Sequence, residues 1–220
     1  MNFDLYLERL PLLHSWDGGE TWITGGFDAD LLRKLVAFLR ERLPPHPGVL
    51  ETGAGCSTIA FMFLDPARLI SIAPEVDLFA RIRSYCAAQG IDASILDSRV
   101  AFSEWLLPRL AESPETPPWL DFALIDGGHG WPTVFVDFFY INHMLRRGGY
   151  LMVDDVQLHS VKELARLLKM QPGFELVLDL GKSLVFRKKT ADRSLPDWSG
   201  QPYIVERTET ISREPNPFAL

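Results

Sequence analysis

The chain has 220 residues, 47% of them hydrophobic and 23% charged, the composition of a soluble globular protein with room for one large domain and a sizeable core. Its 22 Lys and Arg against 29 Asp and Glu leave a net charge of −7, which argues against a nucleic acid as partner. Charges near the N-terminus argue against a signal peptide and Asp137 breaks the densest apolar run, Val134–Ile141, short of a membrane span; the two cysteines have no metal or redox spacing, which fits a reduced, cytoplasmic protein.

Residues 1–27 hold Leu10-Pro11, Trp16, Trp22 and the pairs Gly18-Gly19 and Gly25-Gly26, and read as an irregular segment. This segment either caps a site or packs as an arm on the sheet or on another subunit, as in a homodimer. Apolar residues at 31, 32, 35, 36, 38 and 39 with Arg and Lys between them predict an amphipathic helix from Asp28 to Leu43, capped by Asp28 or Asp30 and ended by Pro44-Pro45-His46-Pro47-Gly48. Val49 to Thr58 then reads as strand, tight turn and helix start, with an apolar segment from Ile59 to Leu64 continuing the helix.

Further strands are expected at Arg68–Ile72, Ala93–Leu96, Leu120–Ile125 and Tyr150–Val153, with Gly148-Gly149 before the last. Helices are expected at Asp77–Gln89, ended by Gly90, and at Phe102–Leu110, Thr133–Arg146 and Leu158–Met170. Residues 113–118 read as a loop. Phe174–Leu180 and Ser183–Lys188 form a hairpin through Gly181-Lys182. Apolar strands alternating with helices imply a parallel sheet buried on both faces. The chain thus divides into a cap at 1–27, an α/β domain at 28–189 and a polar tail at 190–220, which lies across the surface or closes over a substrate. Trp198, Tyr203 and Phe218 argue against a wholly disordered tail.

The turn carries the first functional signal. Gly53 and Gly55 let the backbone turn sharply and bring bare amides to a ligand at a helix N-terminus. A dinucleotide fingerprint needs a third glycine where Thr58 stands, which weakens the alternative of an NAD-type oxidoreductase. With Glu51 two residues before Gly53, the stretch resembles the first motif of class I S-adenosylmethionine-dependent methyltransferases. The order of elements from Leu31 to Lys188 is similar to that family's fold: a Rossmann-like, doubly wound, mostly parallel seven-stranded sheet with an antiparallel C-terminal hairpin and helices on both faces. The resemblance implies that Glu51, Gly53, Gly55 and Ser57 belong to the loop around the methionine end and ribose of S-adenosylmethionine. On the same resemblance Glu75, two residues beyond the family's usual ribose acid, serves the ribose, or is a solvated acid at a helix start, and Asp97 and Ser98 lie where the adenine is held, or form an ordinary turn. Cys56, inside the turn without a local base, reads as a small buried residue.

Open parallel sheets bind ligands beyond the carboxyl ends of their strands. There the chain reads Asp126-Gly127-Gly128-His129 after the fourth strand and Asp154-Asp155 after the fifth. Neighbouring strands stand about 4.8 Å apart, so three carboxylates would converge, a costly arrangement without a cation or protons. The pattern resembles a subgroup that includes small-molecule and sugar O-methyltransferases, and also the magnesium-dependent catechol type, in which an Asp-Asn pair stands where this chain has Asp-Asp. What the resemblance implies is methyl transfer to a small-molecule acceptor, Mg2+ on Asp126, Asp154 and Asp155, and His129 as the base at the position of that type's lysine. On the residues alone, Asp126 and Asp154 serve equally well to hold loop amides, Asp155 to cap the next helix and His129 to bond backbone; a member that binds the cofactor without turnover is the further alternative. His143 and His159 read as surface or helix-packing residues, and His14 and His46 give no signal.

Overall fold

The computed structural model describes residues 1–112 and 118–213. The expected loop at 113–118, apart from Pro118, and Phe218 lie outside the described residues.

Among the described residues seven strands form one sheet: β1 (Gly48–Thr52), β2 (Arg68–Ala73), β3 (Leu96–Val100), β4 (Leu120–Ile125), β5 (Leu145–Val153), β6 (Phe174–Asp179) and β7 (Leu184–Lys188), in spatial order β3-β2-β1-β4-β5-β7-β6. β1 to β5 run parallel, and β7 lies antiparallel to both β5 and β6. This is the Rossmann-like doubly wound sheet with the expected C-terminal hairpin.

The alternation of side chains along each strand divides the core in two. On one face Val49, Leu69, Phe122, Leu124 and Met152 pack under α2 (Ala29–Arg42), α3 (Cys56–Met62) and α4 (Val76–Gln89). On the other face Leu50, Ile70, Ala123, Ile125 and Leu151 pack under α5 (Ser103–Ala111), α6 (Thr133–Met144) and α7 (His159–Met170). The helices hold their ends locally: Asp28 Oδ1 accepts from the Leu31 amide at 2.8 Å to cap α2, and Gly90 at φ +64° closes α4 in the left-handed region.

Three expectations are corrected. The N-terminal segment is not wholly irregular, because Phe3–Glu8 forms a short helix, α1, capped by Asn2 and burying Phe3, Tyr6 and Leu7. β3 is Leu96–Val100 rather than Ala93–Leu96: it is an edge strand, whose outer residues need no apolar side chains, so the apolar pattern stops where the strand begins. β5 starts at Leu145, and the register shift opposite Leu120–Phe122 takes Gly148-Gly149 into the strand. The described part of the tail forms a 3₁₀ turn at Trp198–Gly200 and α8 (Pro202–Arg213), which packs on α7 with Tyr203 donating to Glu163. None of its residues lines the cavity at the β1 turn. Among the described residues, no helix is long and apolar enough to cross a membrane.

Candidate active site

The strand order reverses between β1 and β4, and at their carboxyl ends lies a cavity of about 700 Å³, the place where open α/β sheets take ligands. The turn after β1 forms its floor. Gly53 sits at φ +89° and its amide donates to the Ile72 carbonyl at 2.8 Å. A Cβ on Gly53 would stand 2.4 Å from the Asp126 carbonyl oxygen, so the bare glycine is what lets the ends of β1 and β4 close together.

Glu51 does not face the cavity. It is fully buried behind the turn, where Ser57 and Ser71 donate to its carboxylate at 2.7 and 2.6 Å and Thr58 donates as well, while the Gly55 amide donates to Thr58 Oγ1 at 2.9 Å. Its contact with a cofactor is therefore corrected: the acid shapes the turn from below. Ser57 lines the cavity with its hydroxyl committed to Glu51.

Burial pushes the Glu51 carboxyl up to about 7 despite those donors, and raises Asp137 to about 6 despite the Ser103 hydroxyl donated to it at 3.0 Å. Between the ordinary carboxyl range near 4 and neutrality the folded chain therefore binds protons that the unfolded chain does not. The stability this contributes is complete below about pH 4 and is lost as pH rises through 6 to 7. Melting temperatures measured across that window should fall with rising pH, and Glu51→Gln should flatten part of the fall. A variant profile parallel to wild type would count against the assignment.

Glu75 lines the cavity at the head of α4, with Arg81 3.7 Å away. Asp97 and Ser98 do not reach it. They lie within β3 rather than after it, Asp97 paired with Arg99 at 2.7 Å and Ser98 accepting from Arg83 at 3.1 Å. The residues that do follow β3 and line the cavity are Ala101, Phe102, Ser103 and Glu104.

Across the cavity, Asp126, His129 and Asp155 come together. His129 Nε2 stands 3.5 Å from Asp126 Oδ1 and 3.7 Å from Asp155 Oδ2, ion-pair rather than hydrogen-bond distances, and this buried nitrogen has no hydrogen-bond partner. Asp126 raises the His129 pKa most, against the opposing effect of burial, and the Asp155 and Asp154 charges add to the rise. Burial raises the Asp126 carboxyl above its ordinary range, against the opposing effect of the His129 imidazole.

Asp154 is not an open ligand beside them. It is fully buried and accepts from Ser183 Oγ and from Lys182 Nζ, the latter at 2.7 Å; the same ammonium reaches Asp155 Oδ1 at 3.0 Å. The set Asp126, Asp154 and Asp155 therefore does not fit Mg2+: the oxygens of Asp154 are committed and an ammonium sits between the two acids that follow β5. The three ligand atoms that do converge include an imidazole, a poor donor for a cation that prefers oxygen.

Three contributors were missed in the sequence. In the sequence Lys182 carries only the mark of a hairpin turn, Ser103 that of a helix start, and His14 no signal. His14 lines the cavity, stacked on Trp16 with 5.9 Å between ring centroids, and its ring occupies the space a Cβ on Gly55 would need, 2.7 Å from Nε2. Burial lowers its pKa, favouring the neutral ring. The segment that carries it is tied down by Leu13 and His14 bonded to Ile23, by Arg81 donating to the Leu13 carbonyl at 2.9 Å, and by the Tyr6 hydroxyl donating to the Cys56 carbonyl at 2.6 Å. The apolar spacing of Phe3, Tyr6 and Leu7, the buried face of α1, is the sequence signal that could have marked it. Burial pushes the Cys56 thiol up to about 12, so it is no nucleophile at neutral pH.

No protein-family model matches the sequence, and no curated protein matches it. Solved structures do share the fold. The O-methyltransferase TomG from Streptomyces achromogenes, involved in tomaymycin synthesis and solved with S-adenosylmethionine, is 20% identical over 75% of this chain and 82% of its own, with a TM-score of 0.62. An O-methyltransferase from Bacillus cereus, solved with S-adenosylhomocysteine, is 14% identical over 76% and 84%, at 0.60. An rRNA methylase from Streptococcus thermophilus is 16% identical over 71% and 95%, at 0.52. At these identities the likeness establishes the fold, and the chemistry has to be argued from the site.

Proposed function

We propose that the chain transfers a methyl group from S-adenosylmethionine to a hydroxyl group of a small molecule. One observation carries the reading: a single cavity at the switch point joins a glycine turn opening a helix to an imidazole set between two carboxylates. The residues present fit the cofactor, since the cavity runs from Gly53–Ser57 past Glu75 to Phe102–Glu104 and its volume of about 700 Å³ is ordinary for a small-molecule site.

In this reading the amides of the turn and of the start of α3 hold the methionine end, Glu75 the ribose, and Phe102 and Ser103 the adenine in place of Asp97 and Ser98. The bound cofactor supplies a methyl group already activated on sulfonium. What remains for the protein is alignment and one proton. His129 takes the proton from the acceptor hydroxyl, and Asp126 and Asp155 hold the ring and stabilise the imidazolium that results. The acceptor enters between His129 and the wall of His14 and Trp16. The net charge of −7 and the acids around the cavity support a small acceptor over a nucleic acid, despite the rRNA methylase among the fold relatives.

Calorimetry with S-adenosylmethionine, S-adenosylhomocysteine and NAD tests the reading directly. The two adenosyl compounds should bind and NAD should not; binding of NAD alone would replace the proposal with an oxidoreductase. Binding of S-adenosylhomocysteine without product in a broad acceptor screen would point instead to a non-catalytic homologue.

A further inference from the structure

We infer that Lys182 is the built-in cation of this site, so that catalysis needs no divalent metal. The inference rests on the methyl-transfer reading for its consequence, but its geometry stands apart from it.

Three acids end β4 and β5, and their mutual repulsion requires positive charge close by. The structure supplies it from the hairpin between β6 and β7. Lys182 Nζ lies 2.7 Å from Asp154 Oδ2 and 3.0 Å from Asp155 Oδ1, bridging the two carboxylates as a single cation would. The other Asp154 oxygen accepts from Ser183, and Gln157 donates to Asp155 Oδ1 at 2.9 Å, leaving only Asp155 Oδ2 turned toward His129.

The lysine is enclosed from both sides. On the hairpin side, Gly181 at φ +85° makes the turn and the Lys182 carbonyl accepts from the Val156 amide at 2.9 Å. On the N-terminal side, the Phe27 ring centroid lies 5.2 Å from Nζ, and a Cβ on Gly26 would stand 3.3 Å from it. Segments far apart in the chain thus converge on one ammonium. Lys182 is a positioning residue: it fixes Asp155, which with Asp126 fixes His129.

The test compares wild type, Lys182→Met and Lys182→Arg. Magnesium titrated into wild type, followed by calorimetry and by melting temperature, should give no binding and no shift, and excess chelator should leave turnover unchanged. Lys182→Met should lose about tenfold to a hundredfold in turnover and acquire measurable Mg2+ binding where the ammonium was. Lys182→Arg, which keeps the charge, should retain more turnover than Lys182→Met and remain indifferent to Mg2+. Stoichiometric Mg2+ binding by wild type, or turnover lost in chelator and restored by Mg2+, would overturn the inference. The binding experiments on wild type need neither a known acceptor nor a variant that folds, so failure here is distinguishable from failure to bind S-adenosylmethionine.

Discussion

His129→Ala is expected to lower turnover by about 100-fold or more, the usual worth of a positioned general base, with S-adenosylhomocysteine affinity close to wild type. The effect is large because the other imidazole lining the cavity, His14, stands across it against Gly55, while the Asp126 and Asp155 carboxylates beside His129 are weaker bases that face its ring. The pH profile gives an independent readout. Asp126 and Asp155 hold the His129 pKa above its ordinary value near 6.5, and the ring can accept a proton only when it is unprotonated. Activity should therefore rise with pH along a limb lying above 6.5. Asp126→Asn removes the largest contribution, so the limb should move to lower pH even as the rate falls. If the limb stays put while the rate drops, Asp126 acts only on loop structure.

Gly53→Ala should disable the site by a different route. A side chain there must adopt φ near +89° and must also push against the Asp126 carbonyl oxygen, 2.4 Å from where its Cβ would be. The first costs about 1–2 kcal/mol, and overpacking against backbone adds roughly another 1–3 kcal/mol. The strain falls where β1 and β4 meet, so it displaces the cofactor turn and the Asp126–His129 loop together. Loss of cofactor binding by calorimetry should accompany a lowered denaturation midpoint. Gly90→Ala is the control: at φ +64° with open space around its Cβ, it pays only the backbone cost of about 1 kcal/mol and should bind normally. Normal binding by the Gly53 variant would show that the turn yields more easily than its geometry implies.

The sheet was legible because its strands are buried on both faces, so β1, β2, β4 and β5 appear as apolar runs ended by the residues of the site. β3 was misplaced because it is an edge: Leu96 is buried while Arg99 and Val100 are exposed, and a half-solvated strand has no apolar signature. That one shift in phase carried Asp97 and Ser98 into the site and left Phe102 and Ser103 out. Asp126, His129 and Asp155 lie together at one cavity, as their places at strand ends predict. The error at Asp154 came from a partner 28 residues away, since a lysine in a hairpin turn reads locally as a solvated charge. Glu51 stands out as part of the motif, but its direction does not, because the Ser57 and Thr58 hydroxyls of the turn fold back on it and a third, from Ser71, reaches it from β2. The 1–27 segment was hardest, since α1 is six residues long and gains its stability from distant contacts rather than from its own helical bonds.

The wall formed by His14 and Trp16 has a consequence for affinity itself. The segment that carries it buries Phe3, Tyr6, Leu7, Leu13 and Phe27 in the core under α2 to α4 and adds the Tyr6–Cys56 and Leu13–Arg81 hydrogen bonds, while the sheet behind it is stabilised by both cores and by its strand ladders. An opening that releases residues 1–27 alone breaks fewer contacts than global unfolding. A dissociation constant measured for the whole protein is the intrinsic constant divided by the fraction of molecules with the wall in place. Ligand must accordingly slow amide exchange in the first 27 residues, far from the atoms that react, and a substitution there that weakens docking raises every apparent constant by the same factor without touching the chemistry.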